Sequence, residues 1–136
     1  MRLRILLEPN GGASYGASLT AEDGAEEVYA IPGVYQVDSK GDPTFAAGYL
    51  ENLVHEFVHS YANPLVDQSG DGMEKPGAAI FNTVADAMRM QAYGTWKILL
   101  YESMVRASTA RYVLEHNGIE AAFQQDGRAG GPARTL

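Results

Sequence analysis

Two of the three histidines in this chain stand four residues apart, with a glutamate directly after the first: His55-Glu56-Phe57-Val58-His59. This spacing constrains the fold more than any other feature of the sequence. On an α-helix, residues four apart share a face, one turn above the other. Both imidazoles then reach one ion at about 2.0–2.1 Å, and the intervening glutamate can take a proton from the attacking water. A chance HExxH match in a chain with this His and Glu content has an expectation of about 0.005. The bland alternative is a pair of exposed histidines on a solvated helix.

The flanking residues predict the helix that the motif needs. Leu50, Leu53, Val54, Phe57, Val58 and Tyr61 recur at helical spacing and leave His55 and His59 on an adjoining face. Asp42-Pro43 reads as an N-cap with proline at the first helical position, and Asn63-Pro64 as the helix end. A second helix is expected from about 76 to 92, and a third from about 95 to 116 after the Gly94 break. Between the first two helices, residues 67–77 read as a polar loop. Ahead of the motif, Leu3, Ile5 and Leu7 alternate with other residues as in a half-buried strand. Residues 10–26 read as a loop, residues 27–31 as a second strand, and residues 34–37 as a third strand in a hairpin. A short apolar piece at 119–123 is expected to pack back on the core. The expected fold class is α+β, with a small N-terminal sheet packed on the motif helix and two further helices. One domain is expected over 1–124, with a disordered tail over 125–136.

Composition removes several function classes. The net charge is −7 and the pI about 4.8, which gives no electrostatic footprint for nucleic acid or anionic lipid. Zero cysteines exclude disulfides, thiolate metal sites and cysteine nucleophiles. No apolar run approaches the roughly 20 residues of a membrane span. The N-terminal apolar stretch before Glu8 is too short for the core of a secretion signal.

A Zn²⁺ site of this kind needs a third protein ligand. The segment after His59 is Ser60-Tyr61-Ala62-Asn63-Pro64-Leu65, which lacks the glycine and histidine of the metzincin continuation. His116 is a ligand only if the third helix brings it to the metal. A continuous helix would carry it about 21 Å beyond Glu102. Glu102 is the stronger candidate, a carboxylate in the otherwise apolar run Leu99-Leu100-Tyr101-Glu102-Ser103-Met104-Val105. Such a group is costly to bury unless paired or metal-bound. Its alternative role is an ion pair with Arg106, one turn on. Arg106 itself is either a partner of Glu102 or Asp86, or a transition-state stabiliser.

Two lesser signals remain. Asp67-x-Ser69-x-Asp71-Gly72 begins like a calcium loop, but its twelfth position is Ala78, so the bidentate carboxylate is missing. Gly11, Gly12 and Gly16 follow a strand without the lysine of a phosphate loop, and read as a turn or as backbone lining a cleft.

An HExxH helix followed by a downstream glutamate resembles the gluzincin zinc metallopeptidases. More narrowly, Leu53 to Asp67 (LVHEFVHSYANPLVD) is similar to a bacterial family of metallopeptidase-like chains labelled a domain of unknown function. The similarity extends to Leu7-Glu8-Pro9-Asn10-Gly11-Gly12 with Tyr15-Gly16, and to Tyr101-Glu102-Ser103 with Arg111-Tyr112. The resemblance implies that His55, His59 and Glu102 are zinc ligands, Glu56 the general base, and a peptide or protein the substrate. It also implies secretion or a periplasmic location in full-length relatives, so a chain starting this close to its first strand is expected to be truncated or pared down. Many gluzincins carry an aspartate four residues after the ligand glutamate. Here that position is Arg106, which leaves Asn63, Asp67 or Asp86 as candidates to orient a histidine. In zincins an extended substrate pairs with an edge strand beside the motif helix, and residues 34–37 are the candidate edge. The rival reading is a degenerate or truncated zincin that holds zinc as a non-catalytic binding module. Oligomeric state is not legible in the sequence.

Overall fold

A computed structural model describes residues 1–8, 13–45 and 48–123 of the chain. The tail read over 125–136 lies outside the described residues, as do Gly11 and Gly12. The fold is α+β: a three-stranded N-terminal sheet, then helices. The elements are β1 (Arg2–Ile5), β2 (Tyr15–Thr20), β3 (Glu26–Ile31), α1 (Tyr49–Gln68), a 3-10 turn at Gly70–Met73, α2 (Glu74–Met90) and α3 (Trp96–Asn117). By its contacts the chain divides into two compact units, Met1–Tyr61 and Ala62–Leu136, with the border inside α1.

In the first unit the strand order is β1-β3-β2, with β3 central. β1 runs parallel to β3, pairing Leu3 with Val28 and Ile5 with Ala30. β2 runs antiparallel to β3, pairing Gly16 with Ala30 and Ser18 with Val28. Because side chains alternate across a strand, one face collects Leu3, Ile5, Val28, Ala30, Ser18 and Gly16. Val28 and Ala30 are fully buried there, and burying a valine side chain contributes about 1.5–3 kcal/mol. On the opposite face Arg2 stands directly across from Glu27, and Arg4 across from Tyr29. The Glu27 carboxylate accepts hydrogen bonds from Arg4 (2.9 and 3.1 Å), Arg2 (3.2 Å) and the Tyr29 hydroxyl (2.5 Å). Arg4, then Tyr29, hold its pKa down at about 2.

Three expectations for this unit need correction. Residues 10–26 are not all loop, since β2 lies among them. The segment Tyr15-Gly16-Ala17-Ser18-Leu19-Thr20 is too rich in small residues to show an apolar alternation, and its pairing with β3 makes it a strand. Residues 34–37 form no strand; of two isolated bridges, Glu8 with Gly33 falls just before them and Val37 with Pro43 at their end. That second bridge also takes Pro43 away from the role of first helical residue. α1 begins six residues later, after Gly48, whose φ of 96° is open to glycine and whose carbonyl accepts from Asn52 N–H at 3.3 Å.

In the second unit α1 runs past Asn63-Pro64, contrary to the expected stop. Pro64 lacks the N–H that would bond the Ser60 carbonyl, but it leaves the rest of the ladder intact as far as Gln68. The expected polar loop at 67–77 is correspondingly mostly helical: the end of α1, the 3-10 turn and the first turn of α2. α2 and α3 stand close to their expected ranges. Their close approach requires Gly77, because a Cβ there would lie 2.6 Å from the Trp96 ring. Thr95 caps α3, its hydroxyl accepting from Ile98 N–H at 3.2 Å. Val105, Thr109 and Val113 form the fully buried stripe of α3, with Thr109 Oγ1 donating to the Val105 carbonyl at 2.9 Å. Gly118, with φ 85°, ends α3. Residues 119–123 form a further helical segment that leaves Ile119 and Phe123 largely exposed, so it does not close the core as expected.

Candidate metal centre

The motif falls in the middle of α1, as its spacing requires. His55 and His59 present their rings edge to face, with centroids 4.9 Å apart, and their Nε2 atoms are separated by 3.2 Å. Two nitrogens bound at about 2.05 Å to one tetrahedral ion stand about 3.3 Å apart. The observed separation therefore fits a shared ion. Both imidazoles are half-buried.

Glu56 is buried, at 5% exposure, an uncommon state for a carboxylate. Its backbone is fixed by β2. A Cβ on Gly16 would overlap the Glu56 carbonyl oxygen, and would lie 3.3 Å from the His59 Cβ. β2 thus rests on the motif turn with nothing between the two backbones, and only glycine permits that approach.

Glu102 lies in the second turn of α3, with its side chain 14% exposed. His55, His59 and Glu102 each offer one ligand atom, and these three atoms lie within 4.8 Å of one another. The group can hold a metal ion: two neutral imidazole nitrogens and a carboxylate oxygen are a donor set that zinc accepts. Glu102 also meets its alternative partner. Arg106 Nε stands 3.8 Å from Glu102 Oε2, beyond ordinary hydrogen-bond reach.

His116, Asp86 and Asp67 are placed elsewhere. α3 is continuous, and His116 stacks on Tyr112 with its Nδ1 2.9 Å from the Tyr112 carbonyl. It is not part of the His55–His59–Glu102 group. Asp86 is fully exposed and faces Arg89 at 3.5 Å. Asp67 is bonded by Lys97 (2.7 Å) and by the Tyr101 hydroxyl (2.6 Å), which together hold its pKa down. The calcium-loop signal at Asp67 to Gly72 falls largely in helix and 3-10 turn.

Sequence reasoning missed Tyr93. Its hydroxyl donates to Glu102 Oε2 at 3.0 Å and accepts from Arg106 Nη2 at 3.1 Å. The Arg106 guanidinium also lies 5.9 Å from the Tyr93 ring centroid. Burial first, and the Glu102 charge second, push the Tyr93 hydroxyl above its ordinary pKa. The only signal was a lone tyrosine beside the glycine that breaks two helices.

The model of one protein family matches residues 2–129, nearly the whole chain. The chain belongs to the family described as Domain of unknown function (DUF4932). No curated protein and no solved structure matches it. That family description, a domain of unknown function, assigns no chemistry. Among the described residues of this DUF4932 chain, no helix is long and apolar enough to cross a membrane.

Proposed function

We propose that this DUF4932 domain hydrolyses peptide bonds with one zinc ion held by His55, His59 and Glu102. The observation that carries the reading is the convergence of those three ligand atoms within 4.8 Å, the two histidines standing on the helix that also carries the buried Glu56. When bound, zinc supplies a Lewis acid that polarises the scissile carbonyl. Glu56 accepts a proton from the attacking water on a carboxylate oxygen and returns it to the leaving amine nitrogen. Glu56 stands one residue from His55, on the turn that Gly16 approaches, and it is not one of the three ligand donors.

The substrate strand is reassigned from residues 34–37 to β2. β2 is an edge of the sheet, and its Gly16 rests on the turn that carries Glu56 and His59. An extended peptide pairing with the outer side of β2 would run alongside that turn, using main-chain hydrogen bonds that need no particular side chain.

The test is Glu56→Gln, which keeps the size and hydrogen bonding of the side chain but removes the base. Hydrolysis of a mixed peptide library should fall by at least about a hundredfold with zinc content unchanged. Equal cleavage by variant and wild type would refute Glu56 as the base. A zinc-loaded wild type that cleaves nothing would favour the non-catalytic binding module.

A further inference from the structure

Glu102 is held from outside the motif helix by a chain of donors with only one possible direction. A guanidinium donates and cannot accept, and a phenol has a single proton. Tyr93 therefore accepts from Arg106 Nη2 (3.1 Å) and must spend its own proton on Glu102 Oε2 (3.0 Å). The direct Arg106–Glu102 approach is an ion pair at 3.8 Å, too long for a hydrogen bond. Arg106 thus reaches the carboxylate mainly through the hydroxyl, and its guanidinium near the Tyr93 ring steadies the same side chain.

The tyrosine is itself anchored. Its backbone N–H bonds the Met88 carbonyl at 2.9 Å, and Ala92 before it takes φ 64° to close the end of α2. Two residues later Thr95 caps α3, the helix that carries Glu102 and Arg106. Tyr93 is therefore fixed at both neighbouring helix ends, and its hydroxyl stands at a set place relative to Glu102. Partners that hydrogen-bond a ligating carboxylate from behind orient it and tune its donor strength.

Resting on the zinc reading above, we propose that Tyr93 is the positioning residue for Glu102, and that Arg106 acts on Glu102 through the Tyr93 hydroxyl. This gives Arg106 a role in presenting the ligand, with no contact to the reacting atoms required.

The experiment measures zinc affinity of the full chain by competition with a chromogenic chelator, and the visible spectrum of the cobalt-substituted protein. The variants are Tyr93→Phe, Arg106→Met, the double variant and Glu102→Ala. Tyr93→Phe removes one oxygen and should weaken zinc about 10–100-fold, with a changed cobalt spectrum that a purely structural role would not produce. Arg106→Met should weaken zinc, and adding it to Tyr93→Phe should cost nothing further, since both break one chain. If Tyr93→Phe folds poorly, Arg106→Met leaves the tyrosine in place and must still weaken zinc. Wild-type affinity in both single variants, with Glu102→Ala impaired, would overturn the role of Tyr93 and leave the metal site standing. Multiplying effects in the double variant would overturn the route through the hydroxyl. Unchanged affinity in Glu102→Ala would take down the metal reading and this inference together.

Discussion

Replacing Gly16 with alanine tests whether β2 and the motif turn meet backbone to backbone. The added methyl would overlap the Glu56 carbonyl oxygen, with the Glu56 carbonyl carbon 3.1 Å away and the His59 Cβ at 3.3 Å. None of these atoms can rotate aside, because all belong to helical backbone or its first side-chain carbon. Overpacking of this kind costs about 1–3 kcal/mol, against about 0.4–1 kcal/mol gained when alanine restricts the unfolded chain. The net expectation is a loss of about 1–2 kcal/mol, read as a lower urea midpoint of the metal-free protein. Relieving the overlap also moves the turn that carries Glu56 and His59, so zinc affinity should fall as well. Gly94→Ala is the control. A Cβ there meets nothing within 4 Å and Gly94 has no positive φ, so that variant should be neutral or slightly more stable. If Gly16→Ala were as stable as Gly94→Ala, β2 would not rest on the motif turn, and its assignment as the substrate strand would go with it.

Glu102→Ala should weaken zinc binding strongly, whereas His116→Ala should bind as wild type; chelator competition checks both, and the opposite pattern would make His116 the third ligand. Acid sensitivity should trace in part to Glu27. Its folded pKa, about 2, lies below the ordinary value of 4.5, chiefly through Arg4. Its stabilising contribution is therefore complete above about pH 4.5 and is lost as pH falls through about 2. The stability gap between wild type and Glu27→Gln should narrow over that window in urea titrations, and a constant gap would contradict the sheet-face network.

The candidate metal ligands were legible because their chemistry depends on spacing. His55 and His59 meet wherever a helix forms, and Glu102 stands out as an acid in an apolar run. The strand β2 was hidden for a physical reason: an edge strand that must approach a helix backbone uses Gly16, Ala17 and Ser18, and so shows none of the bulky alternation by which strands are recognised. Pro64 misled in the opposite sense. A proline removes one helical hydrogen bond, and α1 tolerates that loss. Asp42-Pro43 has the chemistry of a cap, yet Val37 pairs with Pro43 instead, and Gly48 takes over the start of the helix. Tyr93 was invisible because its importance lies in two hydrogen bonds that only the α2–α3 connection creates.

The central claim is that His55, His59 and Glu102 form one metal site. Metal analysis of the full chain, purified with zinc present and dialysed against zinc-buffered solution, tests it most directly. About one zinc per chain is expected for a site of three protein ligands, falling toward none in His59→Ala. A chain that retains no zinc, or a His59→Ala variant that retains as much as wild type, would contradict the account.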